Sequence, residues 1–181
     1  MATLRYALFD TAIGRCGIVW GERGIAGVQL PEAQPAATRA RLRRRFPGAV
    51  DAPPAPPARE AIAGIVALLD GRVVELADLP LDMEGLPPFR RRVYAIARTI
   101  PVGATLTYGA IAALLREPGA ARAVGQALGA NPFPIIVPCH RVLASGGRPG
   151  GFSAHGGVST KLRLLATEGA ATFTLTGGSG S

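Results

Sequence analysis

The sequence has few of the residues that build disulfide frameworks and metal centres. Its 181 residues include two cysteines and two histidines. Cys16 and Cys139 lie far apart and form no CxxC pair, which excludes a disulfide framework and favours a reducing, cytoplasmic setting. A zinc site would need both cysteines together with His140 and His155, and their spacing matches no zinc pattern. We therefore expect no metal ion.

Long apolar runs are also missing. No stretch of about 18 uninterrupted apolar residues occurs, so we expect no membrane span. The first ten residues, MATLRYALFD, have no basic start followed by an apolar run, so we expect no signal peptide. A hydrophobic content of 48% with 18% charged residues is typical of a globular protein. A chain of this length could fold as one domain or as two small ones.

Acidic residues are scarce in the second half of the chain. Residues 1–84 hold ten arginines and ten acidic residues, whereas residues 85–181 hold ten basic residues against Glu117 and Glu168. The second half therefore accounts for the whole formal net charge of +8. We place a domain boundary at this shift, which gives domains over 1–84 and 85–170 and a flexible tail over 171–181. A basic half indicates a polyanionic ligand such as nucleic acid, and an arginine-rich coding bias is the alternative.

Three apolar segments separated by glycine-rich turns predict an antiparallel meander at the start of the chain. They are YALFDTAIG, RCGIVWG and GIAGVQL. Helical patterns follow in ATRARLRRRF, whose arginines we interpret as a solvated face, and in REAIAGIVALLDG. Between them, APPAPPA over 52–58 predicts a loop, because consecutive prolines supply no backbone donors. VVELADLPLDMEGLPP predicts a strand followed by a linker.

The second half begins with three helical patterns. PFRRRVYAIARTI has apolar residues at helical spacing, TYGAIAALL predicts a short helix with Thr107 as its N-cap, and AARAVGQALG predicts another. The last two, joined by the turn REPG, have the outline of a helix-turn-helix. The second of them has only Arg122 and Gln126 as long polar side chains. It would suit tight helix packing, and also a minor groove with one arginine between bases.

The segment NPFPIIVPCHRV places Cys139 directly before His140 and behind three prolines. Residues before proline favour extended backbone, so we expect this segment to be extended. Neighbours in a strand point to opposite faces, so the imidazole needs a bend after Pro138 or a bridging water to reach the sulfur. Glu168, at a helix end closed by Gly169, could orient His140. From chemistry alone, a Cys–His–Glu nucleophile and a structural cysteine beside a surface histidine both stay open.

Five motifs at consistent spacing resemble the O6-alkylguanine-DNA alkyltransferases, also called methylated-DNA–protein-cysteine methyltransferases. They are TYGAIAALL, ARAVG, NP, PCHRV and LLATEG, within a match that runs from about Pro88 to Ala170. The resemblance implies an α+β fold. A small RNase H-like α/β domain with an antiparallel meander would precede a mainly helical domain, which carries the helix-turn-helix and the active-site cysteine loop.

The same resemblance implies a DNA repair protein. Such a protein flips O6-alkylguanine, and also O4-alkylthymine, out of double-stranded DNA and transfers the alkyl group irreversibly to its own cysteine. It needs no cofactor and acts once per molecule. We expect a monomer that acts in the cytoplasm, with no role at a membrane.

The resemblance also implies roles for individual residues. Cys139 is the alkyl acceptor, and His140 and Glu168 are the water-bridged relay that activates it. Tyr108 supports the flipped base and hydrogen-bonds its ring nitrogen, while Arg122 fills the gap left in the stack. Asn131 would tie the helix-turn-helix to the active-site loop. The remaining implied contacts are with DNA, by Thr107, Ala123, Gly125 and Gln126, and with the base, by Val142, Phe152 and Ser153.

Two positions depart from the usual pattern of the family. Phe152 occupies a position where many members have tyrosine. His155 lies in a loop where other members often have glycine or proline. We interpret His155 as a solvent-exposed loop residue, and both departures bear on the tolerated alkyl size. Two other functions stay open: a non-catalytic damage-binding relative, which would typically have replaced Cys139, and a Cys–His hydrolase, which would need oxyanion donors and turnover.

Overall fold

The computed structural model describes residues 2–170 of the chain. The first half contains β1 (Arg5–Thr11), β2 (Gly14–Gly21), β3 (Gly24–Gln29), α1 (Pro35–Arg45), β4 (Val50–Asp51) and α2 (Pro56–Leu69). The second half contains α3 (Pro88–Ala97), β5 (Leu106–Thr107), α4 (Tyr108–Leu114), α5 (Ala121–Gly129), β6 (Val142–Leu143) and α6 (Gly157–Thr167). Within residues 2–170, no helix is long and apolar enough to cross a bilayer.

A four-stranded sheet in the order β3-β2-β1-β4 forms the first half. The three predicted strands pair as an antiparallel meander, which confirms the prediction, and the two-residue β4 adds in parallel to β1. Side chains of β2 alternate between the two faces of the sheet. Val19 packs with Leu42 of α1, whereas Ile18 and Trp20 join the core that contains Ile65 of α2. One helix therefore covers each face.

Two predictions in the first half are wrong. The proline segment over 52–58 is a loop only up to Ala55, because α2 already begins at Pro56. Prolines fit the first turn of a helix, where the missing N–H would have no partner anyway. VVELAD forms no strand, since the carbonyls of Leu76 and Leu79 accept hydrogen bonds from Arg98 instead of a neighbouring strand.

The helices predicted in the second half are confirmed. The Thr107 hydroxyl accepts the Ala110 N–H at 3.0 Å and caps α4 as expected. The Tyr94 hydroxyl of α3 donates to the Ala127 carbonyl of α5 at 2.7 Å, which fixes one helix against the other. A short parallel pair between β5 and β6 places Leu106 beside Val142. Backbone hydrogen bonds of this strand pair therefore join the start of α4 to the segment after the Cys–His pair.

The two halves meet along β3. The Val28 N–H donates to the Pro132 carbonyl at 2.9 Å, which joins the last strand of the meander to the loop before Cys139. The main hydrophobic core contains buried residues from both halves. The domain boundary after Glu84 falls between α2 and α3 and stays a prediction. The predicted tail lies outside the described residues.

Candidate active site

The segment before Cys139 turns back on itself, so the expectation of extended backbone is wrong. The Val137 N–H donates to the Phe133 carbonyl at 2.8 Å, and Ile135 has a φ of 75°. The prediction rested on residues that precede prolines, and Ile135 is not one of them. One residue in the left-handed region is enough to reverse the chain.

Pro138 provides the bend on which the interpretation of the Cys–His pair depended. Its φ of −79° and ψ of 65°, with a 2.7 Å hydrogen bond from the Cys139 N–H to the Val137 carbonyl, form an inverse γ-turn. Residues Cys139–Arg141 then form one turn of 3-10 helix. Cys139 and His140 therefore lie in a turn. Their side chains are not forced to opposite faces, as they would be in a strand.

Asn131 holds this loop together from within. Its side-chain amide donates to the Val137 carbonyl at 2.9 Å, and its side-chain oxygen accepts the Phe133 N–H at 2.8 Å. The same side chain also lowers the pKa of the Cys139 thiol. Asn131 lies just after α5 and so links that helix to the sulfur.

Glu168 receives hydrogen bonds from two neighbouring residues of the 3-10 turn. Its carboxylate lies 2.7 Å from His140 Nε2, and it accepts from Arg141 Nε at 2.8 Å and from Arg141 Nη2 at 2.9 Å. All three side chains are buried. Burial alone would raise the pKa of Glu168, but these hydrogen bonds and the Arg141 charge hold it at about 2. The sequence analysis named His140 as the partner of this carboxylate and missed Arg141.

His140 is poised as a neutral base. Because an ionised carboxylate only accepts, His140 Nε2 carries the proton and Nδ1 keeps its lone pair. Nδ1 is buried and has no hydrogen-bond partner within residues 2–170. Burial lowers the pKa of His140, and the Glu168 carboxylate opposes that shift. The imidazole can therefore receive a proton through Nδ1 while Glu168 holds Nε2.

Cys139 is 8% exposed and its thiol is largely enclosed. Burial raises the pKa of the Cys139 thiol, while the hydrogen bond with Asn131 and the charge of Lys161 lower it. Lys161 Nζ donates to the Val142 carbonyl at 2.6 Å, and burial lowers the pKa of Lys161 to about 8. The sequence analysis missed this residue, although it is the single lysine of the chain.

Tyr108 lies between Lys161 and the glycine-rich loop that follows Cys139. Lys161 Nζ donates to the Tyr108 hydroxyl at 3.5 Å, and burial raises the pKa of Tyr108. At Gly150, with φ of 69°, an added Cβ would lie 2.6 Å from that hydroxyl oxygen. Glycine at this position therefore lets the backbone pack against the tyrosine.

Two cavities meet at Cys139. The first, of about 600 Å³, is lined by α5 and Tyr108 and includes Arg122, Gly125 and Gln126. The second, of about 420 Å³, is a cleft between the two halves. Cys139, Phe152 and Ser153 line both cavities, whereas Thr107, Ala123 and Val142 line neither.

His155 is exposed, as the sequence analysis expected, but it also faces the first half of the chain. Its Nδ1 lies 3.6 Å from a carboxylate oxygen of Glu32, and Glu32 also pairs with Arg41 at 3.3 Å. This contact brings the loop with Phe152 and Ser153 against the first half, and nothing in the local sequence indicates it.

Comparison with known proteins identifies the family. Residues 88–170 match the family model described as 6-O-methylguanine DNA methyltransferase, DNA binding domain. The chain is 37% identical over 153 residues to the methylated-DNA–protein-cysteine methyltransferase of Methanothermobacter thermautotrophicus, covering 84% of this chain and 78% of that protein. It is 47% identical over 113 residues to the DNA base-flipping protein of Thermus thermophilus, covering 62% and 71% of the two chains.

The fold agrees with this match. The crystal structure of Mycobacterium tuberculosis OGT in complex with DNA superposes with a TM-score of 0.74 at 34% identity and covers 91% of this chain and 92% of that one. The chain spans only 45% and 46% of the length of two longer curated relatives. On sequence, fold and motif order, the chain belongs to the 6-O-methylguanine DNA methyltransferase family.

Proposed function

We propose that this chain is a DNA repair protein that moves the alkyl group of O6-alkylguanine onto Cys139. The observation that carries the proposal is the position of the thiol. Cys139 lines a cavity together with Arg122 and Tyr108, and it directly precedes a buried His140 whose Nδ1 has no hydrogen-bond partner within residues 2–170. A reactive thiol needs both a route for its substrate and an acceptor for its proton.

The reaction is a displacement at an sp³ carbon. The thiol proton passes to His140 Nδ1, through one bridging water, and the thiolate sulfur attacks the alkyl carbon. The C–S bond forms as the C–O6 bond breaks, and the electron pair of the broken bond stays with guanine. Tyr108 hydrogen-bonds the ring nitrogen of guanine and stabilises the leaving group, while Lys161 and Asn131 stabilise the thiolate.

The product limits the protein to one reaction. A thioether is not cleaved by water, and the proposed site has no residue set for removing the alkyl group from Cys139. The protein is thus consumed in proportion to the lesions that it repairs. O4-alkylthymine, with an alkyl group on an equivalent exocyclic oxygen, is a second substrate in this proposal.

The proposed DNA surface is the helix-turn-helix made by α4 and α5. Arg122 and Gln126 are exposed on α5. Ala123 and Gly125 are small, so few other side-chain atoms project from this helix. Such a helix suits the minor groove, with Arg122 occupying the place that the flipped base leaves. Flipping costs a few kcal/mol, and less for a poorly paired alkylated base, which contributes to selectivity. Ser153 and Phe152 then contact the base in the cavity.

Several finer features belong to the same proposal. We propose that the first half is an RNase H-like domain, and its sheet with α1 and α2 on opposite faces supports this. We also infer a monomer that acts inside the cell on double-stranded DNA. Val142 would contact the base through its backbone, and Thr107 would contact DNA near the start of α4.

A non-catalytic damage-binding protein is the second candidate, and the similarity to a DNA base-flipping protein favours it. Such a protein would flip and hold the lesion without accepting the alkyl group. The presence of Cys139 next to a proton acceptor argues for transfer. A Cys–His hydrolase would leave the basic second half and α5 without a role.

The test is to mix the protein with duplex DNA that contains O6-methylguanine and to measure the intact mass. We expect a gain of one methyl group per molecule, located on the peptide with Cys139, and no reaction beyond one equivalent of DNA. Cys139→Ala should bind the DNA and gain no mass. Binding without a mass gain in the unaltered protein would favour the damage-binding candidate, and continued turnover would favour a hydrolase.

A further inference from the structure

The cleft between the two halves carries an excess of positive charge. Its charged lining residues are Glu32, Arg41 and Arg45, and Cys139 lies in the same cleft. Glu32 and Arg41 pair with each other at 3.3 Å. Arg45 therefore supplies the positive charge that nothing in the lining cancels.

The Arg45 guanidinium is held by neutral oxygens. It donates to the Val28 carbonyl at 2.8 Å, to the Gln29 side-chain oxygen at 2.9 Å and to the Pro132 carbonyl at 3.2 Å. Within residues 2–170, no carboxylate lies within salt-bridge distance of it. Partial desolvation of the guanidinium by β3 and the loop at Pro132 lowers the pKa of Arg45, and the charge of Arg41 lowers it further. An anion in the cleft would relieve this repulsion.

Arg45 and Cys139 line the same cleft from different elements of the fold. The cation that acts on the Cys139 thiol is Lys161, not Arg45. Arg45 belongs to α1 and touches β3, whereas Cys139 belongs to the loop after Asn131. We therefore expect a substituent whose first carbon touches the sulfur to meet Arg45 with a group further along its chain.

We propose that the cleft selects O6-substituted guanines whose substituent ends in a carboxylate several atoms from the transferred carbon, with Arg45 as the specificity-determining residue. The inference rests on the proposed alkyl transfer. The chemistry is unchanged: the sulfur attacks the first carbon, the C–O6 bond breaks and guanine leaves with the electron pair. Arg45 touches only the distal end of the substituent.

The test compares two free bases of matched size, O6-(4-carboxybenzyl)guanine and O6-(4-carbamoylbenzyl)guanine. The quantity measured is the ratio of their rates of transfer to Cys139, because a ratio within one protein cancels general effects of a substitution on the loop. We expect the charged base to react about fivefold faster in the unaltered protein, as is typical of one charge-assisted hydrogen bond near solvent. The ratio should fall toward one at high salt.

Two variants locate the effect. Arg45→Gln should bring the ratio to about one, and Arg45→Lys should keep most of it. Arg44→Gln is the matched control, because Arg44 is an exposed neighbour on α1 that does not line the cleft, and its ratio should equal that of the unaltered protein. A ratio of one or less in the unaltered protein, or an equal loss in Arg44→Gln, would overturn the inference. Absence of transfer from the neutral base and from methylated DNA would instead overturn the proposed function.

Discussion

Arg141 binds the Glu168 carboxylate through two hydrogen bonds of 2.8 and 2.9 Å, so the anion that orients His140 already has a permanent cation beside it. This relationship changes how the relay works. Glu168 does not depend on a protonated imidazole for its charge balance, because Arg141 supplies it. His140 is thereby left neutral and able to accept the proton of the Cys139 thiol.

Glu168→Gln should slow transfer from both methylated duplex DNA and free O6-benzylguanine, by about a hundredfold, since a relay that holds a general base contributes on that order. The apparent pKa of the Cys139 thiol should rise, because the imidazolium formed on proton transfer loses its anion. Rates measured across pH with the free base test both effects. Glu117→Gln, which alters the other carboxylate of this half, is the control and should leave the rate unchanged.

The same carboxylate should make the fold sensitive to acid. The pKa of Glu168 is lowered from 4.5 to about 2, so its contribution to stability is complete above pH 4.5 and is lost as the pH falls toward 2. The contribution is about 2 kcal/mol when solvent screening is allowed for. Urea unfolding at pH 6, 4 and 3 should show a smaller decline in Glu168→Gln than in the unaltered protein. Parallel declines would contradict the assignment.

Lys161 should set the alkaline limit of the reaction. Its pKa is about 8, so the charge that stabilises the Cys139 thiolate disappears above that pH. We expect the rate with free O6-benzylguanine to rise with pH as the thiol ionises and to stop rising near pH 8. Lys161→Met should be about tenfold slower at pH 7 and should lack the break near pH 8. The control is Arg163→Gln, which alters an exposed residue of the same helix and should keep the break near pH 8.

Arg122 should act only where a base has to be flipped. It is exposed on α5 at the mouth of the first cavity and does not contact the thiol relay. Arg122→Ala should reduce repair of duplex DNA by at least about tenfold while changing the reaction with free O6-benzylguanine much less. Equal slowing of both substrates would show that Arg122 is not the flipping residue and that the small residues of α5 serve packing.

DNA binding should depend strongly on salt and weakly on base sequence. The recognition surface has few side chains that could read base edges, so phosphate contacts dominate. Several arginine–phosphate contacts would lower the affinity about a hundredfold between low and moderately high salt. Titrations of labelled duplexes with unrelated sequences measure both properties. A strong preference for one unmodified sequence that survives high salt would contradict the proposal.

Local patterns predicted most of the regular structure. Glycine-rich turns marked the ends of β1, β2 and β3, and a hydroxyl at Thr107 marked the start of α4, because these features act within a few residues of themselves. Glu168 and Gly169 likewise lie at the end of α6 as predicted. Each of these is a case in which local preference and tertiary structure agree.

The failures occurred where a distant group decides the local structure. VVELAD has the composition of a strand, but Arg98 binds the Leu76 carbonyl within it, and the chain pairs with β3 only later, at Leu81. Ile135 adopts a conformation that its branched side chain disfavours, held by the surrounding loop hydrogen bonds. The first effect is not visible in a window of ten residues, whereas the second is a local turn held by hydrogen bonds between residues 131 and 137.

The missed parts of the candidate site have the same origin. Arg45 belongs to a run of arginines that was interpreted as a solvated face, and its contacts with β3 and with Pro132, 87 residues further on, set it apart. Arg141 and Lys161 were missed because basic residues are common in this half. The scarcity of carboxylates was the signal that could have found Arg141, since Glu168 needed a nearby cation.

The distribution of charged groups in the second half separates recognition from chemistry. Glu117 pairs with Arg92 and Glu168 with Arg141, so neither carboxylate stands free to repel a phosphate. His140 and Lys161 are buried, and arginine keeps its proton at every pH that a cell reaches. Between mildly acidic and mildly alkaline solution the surface that meets DNA hardly titrates, whereas the thiol and its neighbours do. Under the proposed function, ionic strength would control whether the protein reaches a lesion, and proton activity would control whether it reacts once there.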